Sequence, residues 1–128
     1  MGPTAECEWS AEGGFTAAQQ LLKSGVPFTA VLAANDQIAL GLMEAFWQKG
    51  IKIPRGMSII GFDNMPESKF FRPPLTTINH DFNRLGTTSL QIVTEAIANP
   101  DLPPTHHKIA PQLVIRESVR RLALGSAE

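Results

Sequence analysis

The chain has 128 residues, 43% hydrophobic and 18% charged, with a formal net charge of −1. That composition suits one globular unit and excludes a disordered, collagenous or coiled-coil chain. It leaves no basic surplus to neutralise a phosphate backbone, and the one cysteine, Cys7, excludes an internal disulfide framework and an all-cysteine zinc site.

Thr4–Trp9 reads as a short strand. Ser10 is a good N-cap for a helix over Ala11–Ser24, with Phe15, Ala18 and Leu22 on one face and Gly25 as its stop. Phe28–Ala34 is almost wholly apolar, as in a strand buried on both sheet faces. Asn35 or Asp36 caps a second helix, which runs to Lys49 and ends at Gly50. Met57–Phe62 and Leu75–Ile78 read as further buried strands. A third helix spans Phe82–Ala98 and closes at Asn99-Pro100. Pro100–Pro111 holds four prolines and reads as a connector. Gln112–Glu117 is a last strand, and Gly125–Glu128 a tail. Strands alternating with helices predict an α/β fold with a mostly parallel sheet. Three helices barely cover two faces of a sheet of about five strands, so the segment reads as part of a larger domain. No apolar run approaches the roughly 18 residues that span a membrane, and no signal peptide is visible. Together these features point to a soluble, reducing, cytoplasmic setting.

Open α/β sheets bind ligands outside the carboxyl ends of their strands. Four such ends carry polar or aromatic groups here. They are Trp9; Asn35 and Asp36; Asp63 and Asn64; and Asn79, His80 and Asp81, followed by Phe82. Carboxylates and amides pair with vicinal hydroxyls while an aromatic face covers the C–H side, which suits a sugar. The same set suits a purine, by stacking plus amide hydrogen bonds. A purely structural reading has Asn35 and Asp36 as caps and Asp63-Asn64 as a turn.

The second helix is apolar over most of its circumference. Gln37, Gly41, Glu44 and Gln48 form one narrow polar stripe; Ile38, Leu40, Leu42, Met43, Phe46 and Trp47 occupy the rest. That arc exceeds what packing on a sheet needs, so a second apolar surface is expected to cover it. Phe70 and Phe71, in the loop after Asp63, call for a partner too.

The segments CEWSAEGGF (7–15), TAVLAANDQIALGLM (29–43), IKIPRGMSIIGFDN (51–64) and PPLTTINHDFNRLG (73–86) occur in that order. Together they resemble the C-terminal part of the effector-sensing core of LacI/GalR-family transcriptional regulators, over residues 3 to 121. The resemblance implies a periplasmic-binding-protein-like (type I) bilobal fold with a small-molecule effector between the lobes. Residues 1–80 would then belong to the C-terminal lobe, 81–110 to a crossover toward the N-terminal lobe, and 111–128 to a returning strand and tail. It further implies effector contacts at Trp9, Asn35, Asp63, His80 and Phe82, to which the strand-end pattern adds Asp36. His80 departs from the Gln often found at its position, which leaves the ligand open. A homodimer interface is implied at Leu40, Met43, Trp47, Met65, Phe70 and Phe71. DNA would be reached only through a helix-turn-helix domain that lies outside this sequence. Effector binding would shift the relative orientation of the lobes and so the spacing of the DNA-binding heads.

Other readings are weaker. Asp36 and Asp63 could form a glycosidase carboxylate pair, but nothing marks either as an acid with a raised pKa. No GxSxG, P-loop, HExxH or GxGxxG is present, and Ser58 is a strand residue. His106-His107 are adjacent, so on a strand they would face opposite sides and not share a metal. Gly13-Gly14 alone is a weak phosphate signal, and Cys7 reads as a small core hydrophobe. No enzyme activity, cofactor, metal or membrane association is expected. A periplasmic sugar-binding transport protein of the same fold, and a free-standing dimerisation module, are the alternatives.

Overall fold

The computed structural model describes residues 2–101 and 103–122. The expected tail, Gly125–Glu128, lies outside them. Helix α1 spans Ala11–Lys23, strand β1 Ala30–Leu32, helix α2 Asp36–Gln48 and strand β2 Ser58–Phe62. A 3-10 turn at Pro66–Phe70 leads to strand β3 (Thr76–Asn79), helix α3 (Phe82–Ala98) and strand β4 (Gln112–Val114). The sheet runs β1-β2-β3-β4, with the first two pairings parallel and β4 antiparallel to β3. The parallel-dominated α/β architecture is the one expected.

The helices start and stop on local signals. The Ser10 hydroxyl accepts from the Gly13 N–H at 3.0 Å, and the Asn35 side chain accepts from Ile38 N–H at 2.7 Å, so Asn35 is the cap. Gly25 and Gly50, just beyond the helix ends, have φ of +70° and +71°, where glycine carries no steric penalty. Replacing Ser10 with Ala should cost about 1 kcal/mol, the usual value of an N-cap, read from a urea melt.

One sheet face is covered and the other is largely open, closed only around Thr76 by the chain at Arg116. Helices α1 and α2 cross over the first, enclosing Ala18, Leu42, Phe46, Ile59 and Leu75. Gly41 belongs to this contact and not to a polar stripe. A Cβ there would overlap the Ala11 carbonyl and lie 2.6 Å from Phe15 N. Gly14 is likewise pressed on the Ile38 backbone. These glycines let two helix backbones touch, and Gly14 has no phosphate-binding posture. On the opposite face Leu32 is 78% exposed and Leu113 57% exposed. The expected burial of both faces is therefore half met. Helix α3 buries none of its residues, and Leu85, Val93 and Ile97 are all exposed along it.

Thr4–Trp9 is not a strand. The segment has no ladder partner among the described residues, and instead packs Ala5 and Cys7 against the core. Between it and β1 lies an apolar cavity of about 440 Å³, lined by Pro3, Ala5, Cys7, Leu21, Val31 and Ala33. Strand β1 is the outermost strand. Ala33 N–H and Thr29 C=O bond to β2, so the alternate groups of Ala30 and Leu32 face away from it, toward the open edge. The last strand is shorter than expected because the chain leaves the ladder at Ile115, where Arg116 N–H turns to the Thr76 hydroxyl at 2.9 Å.

Candidate functional site

The carboxyl ends of the strands lie side by side. Asn35 follows β1 by three residues, Asp63 directly follows β2 and His80 directly follows β3. The first turns of α1 and α2 touch, so Trp9 and Asn35, just ahead of those turns, lie at one end of the helix layer. Trp9 is 70% exposed. Asn35 is buried with its Oδ1 committed to the cap, while its Nδ2 has no partner among the described residues.

The turn after β2 carries the most constrained backbone. Asp63 and Asn64 have φ of 100° and 54°, a region that Asp and Asn tolerate better than other residues with side chains. Three successive amides hold it. Asp63 N–H bonds to Ile78 C=O at 2.8 Å, Asn64 N–H to Thr77 Oγ1 at 3.3 Å and Met65 N–H to Asp36 Oδ2 at 2.7 Å. The Asn64 side chain is held as well. Its Nδ2 donates to Asn79 Oδ1 at 3.1 Å, and its Oδ1 accepts from Arg116 Nη2 at 2.7 Å. The half-buried Asp63 carboxylate has no hydrogen-bond partner among the described residues and is the turn's free acceptor.

An aromatic row borders this turn. The His80 ring lies 4.7 Å from that of Phe62 and 5.9 Å from that of Phe82. Phe82 is 55% exposed at the start of α3. Beside the row is an open polar pocket of about 370 Å³, lined by Asn79, His80, Asp81 and Gln112 among others.

Five of the six expected contact residues keep a free group or a ring not enclosed by the fold: Asn35, Asp63 and His80 just after the strands, Trp9 ahead of α1 and Phe82 at the start of α3. Asp36 is the correction. It is fully buried, with Oδ1 accepting from the Thr77 hydroxyl at 2.6 Å and Oδ2 from Met65. Both oxygens are spent inside the protein, so it neither meets a ligand nor pairs with Asp63 as a glycosidase acid. Phe62, Thr77 and Arg116 are additions. Phe62 was readable as the last residue of a strand, but nothing local signals that Arg116 returns 52 residues to Asn64.

Among the six expected interface residues, Leu40, Trp47 and Phe70 are exposed, at 42%, 73% and 68%. Met65 is half-buried. Met43 is a correction: it is only 5% exposed and belongs to the core, on a side of α2 that faces Ile53 and Pro73. Phe71 also leans on the core. Among the described residues there is no cluster of metal-ligating side chains, and no helix is long and apolar enough to cross a membrane.

A family profile described as a periplasmic binding protein-like domain matches residues 2–119. The HTH-type transcriptional repressor PurR of Mannheimia succiniciproducens is 41% identical over 122 residues, covering 91% of this chain and 36% of that protein. PurR of Vibrio cholerae is 36% identical over 125 residues, covering 93% and 37%. Among solved structures, a LacI family regulator from Enterococcus faecalis with bound ribose superposes with a TM-score of 0.82 at 36% identity. The match covers 92% of this chain and 43% of that one. A lac repressor dimer bound to operator and the anti-inducer ONPF gives 0.81 at 36%, covering 89% and 40%. The chain spans little more than a third of the length of the curated relatives it matches. It belongs to the periplasmic binding protein-like domain family, and the relatives it matches are LacI-type regulators.

Proposed function

We propose that this segment is the effector-sensing and homodimerising part of a cytoplasmic LacI-type repressor, without catalytic activity. In this reading residues 1–80 belong to one lobe, 81–110 cross to the other and 111–128 return. The observation that carries it is the Asp63 turn, which is immobilised by its own amides while its carboxylate stays free. A fixed acceptor at Asp63, together with the amide donor of Asn35 and the accessible rings of Trp9 and Phe82, supplies the group types a small polar ring needs.

A sugar is the first reading, because an exposed tryptophan presents a flat face to ring C–H groups. The ribose bound by the Enterococcus relative agrees with it. A purine is the second reading, favoured by the PurR repressors among the relatives. Dimerisation would use Leu40, Trp47, Phe70 and Met65, and DNA would be contacted through a helix-turn-helix domain elsewhere in the natural protein.

Calorimetric titration of the full-length natural chain with D-ribose and with hypoxanthine decides between the two. Asp63→Asn should weaken whichever ligand binds by about 10- to 100-fold, the worth of hydrogen bonds to a charged group. Unchanged affinity in Asp63→Asn would remove the turn from the site. Binding of neither ligand would overturn both chemical classes.

A further inference from the structure

We propose that Asp36 is a positioning residue. It acts on the effector without touching it, by fixing the turn that presents Asp63. The inference rests on the effector reading above and deepens it.

The packing around Asp36 is built to admit a carboxylate. Asp36 starts α2 at the face of β2, and directly below it is Gly61, whose register partner is Thr77. A Cβ on Gly61 would overlap Asp36 Oδ1 and crowd Leu75 Cδ2 at 2.7 Å. Only glycine leaves room for that oxygen. Burying a carboxylate is costly unless its oxygens are hydrogen-bonded, and here both are. One takes the Thr77 hydroxyl, the other the Met65 amide, at 2.6 and 2.7 Å.

Thr77 relays the effect. Its hydroxyl hydrogen is given to Asp36, which aims an oxygen lone pair at Asn64 N–H, 3.3 Å away. The two side chains thus capture two consecutive amides of the left-handed turn. A third group acts from the other side, where Arg116 also donates to Leu75 C=O at 2.6 Å and to the Ser68 hydroxyl at 3.2 Å. Asp63 is therefore displayed on a backbone held on both flanks. Of the two side chains at the strained positions, Asn64 is bound at both ends and the Asp63 carboxylate has no hydrogen-bond partner among the described residues. A turn held in a sparsely populated region of backbone space needs such over-determination to persist.

The test compares Asp36→Asn, Thr77→Val and Thr77→Ser in the full-length natural chain, with Asp63→Asn as the reference. Ligand-free amide exchange is read at residues 64 and 65, and D-ribose and hypoxanthine are titrated in parallel. Asp36→Asn and Thr77→Val should speed exchange at those two amides about tenfold or more while the Ile59 amide keeps its rate. Both should weaken ligand binding about tenfold, and Thr77→Ser, which keeps the hydroxyl, should restore both readouts. Wild-type exchange at residues 64 and 65 in Asp36→Asn would overturn the proposal. So would faster exchange with full affinity, provided Asp63→Asn still loses binding. Faster exchange with Asp63→Asn also binding normally would uphold the fixing of the turn and reject the effector role of Asp63.

Discussion

Gly41→Ala is expected to cost about 3 kcal/mol or more and to lower the melting temperature by about 10 °C, the upper end for overpacked sites. One methyl group has this effect because its neighbours are backbone. The added carbon would overlap the Ala11 carbonyl and sit 2.6 Å from Phe15 N, and neither can rotate aside as a side chain could. The α1–α2 crossing must open, and the core beneath it with it. Differential scanning calorimetry reads the effect directly. A loss under 1 kcal/mol would mean that the crossing is looser than described. Helix propensity alone favours alanine over glycine, so the sign of the result separates packing from propensity.

Phe46→Ala is expected to cost about 3–5 kcal/mol, while its neighbour Trp47→Ala should change stability by no more than about 0.5 kcal/mol. Phe46 is wholly buried beneath α2 and Trp47 is 73% exposed on the outer side. The two ring truncations therefore separate core from interface. Trp47→Ala should instead weaken self-association, read by sedimentation velocity over a concentration series of the full-length chain. Association unchanged in Trp47→Ala would exclude this part of α2 from a dimer surface. A chain monomeric throughout the series would overturn the homodimer itself.

These two residues also mark how far the sequence could be read. The apolar excess on α2 called for a covering surface beyond the sheet, and Leu40 and Trp47 stand exposed on that arc, but the arc was cut in the wrong place. Met43 is in the core beside Ile53 and Pro73, and Gly41 is in a helix contact because α1 packs across the side that periodicity assigned to a polar stripe. Periodicity reports which side chains avoid water and is blind to a glycine whose value is having no side chain. Helices and their caps were legible at Ser10 and Asn35, since capping is local chemistry. The Thr4–Trp9 segment was misread for the opposite reason: a strand exists only if a neighbour pairs with it, and pairing is not a local property.

The site divides along the same line. Residues with free groups just beyond the strands, such as Asp63 and His80, were visible from their place in the alternating pattern. Asp36 has the same place and the same chemistry, yet it faces inward. What turns it is Gly61 and Thr77, more than two dozen residues away, so only the folded register distinguishes the two carboxylates. Arg116 escaped for a related reason: its partners lie 41 to 52 residues earlier in the chain.

The unpaired outer side of β1 has a consequence for anyone handling these 128 residues in isolation. Ala-Val-Leu presents open backbone donors and acceptors with no lysine, proline or bulge within the strand to blunt them. Such a border is a template that a second molecule can extend, strand on strand. Pro27, three residues before β1, is the nearest natural gatekeeper. The uncovered leucines on one face of the sheet, Leu32 on β1 and Leu113 on the far strand β4, would then be available to stack between layers. Solubility of the isolated segment is accordingly a matter of how that border is capped. A charged residue placed at Ala30 is a more direct remedy than any change to the core.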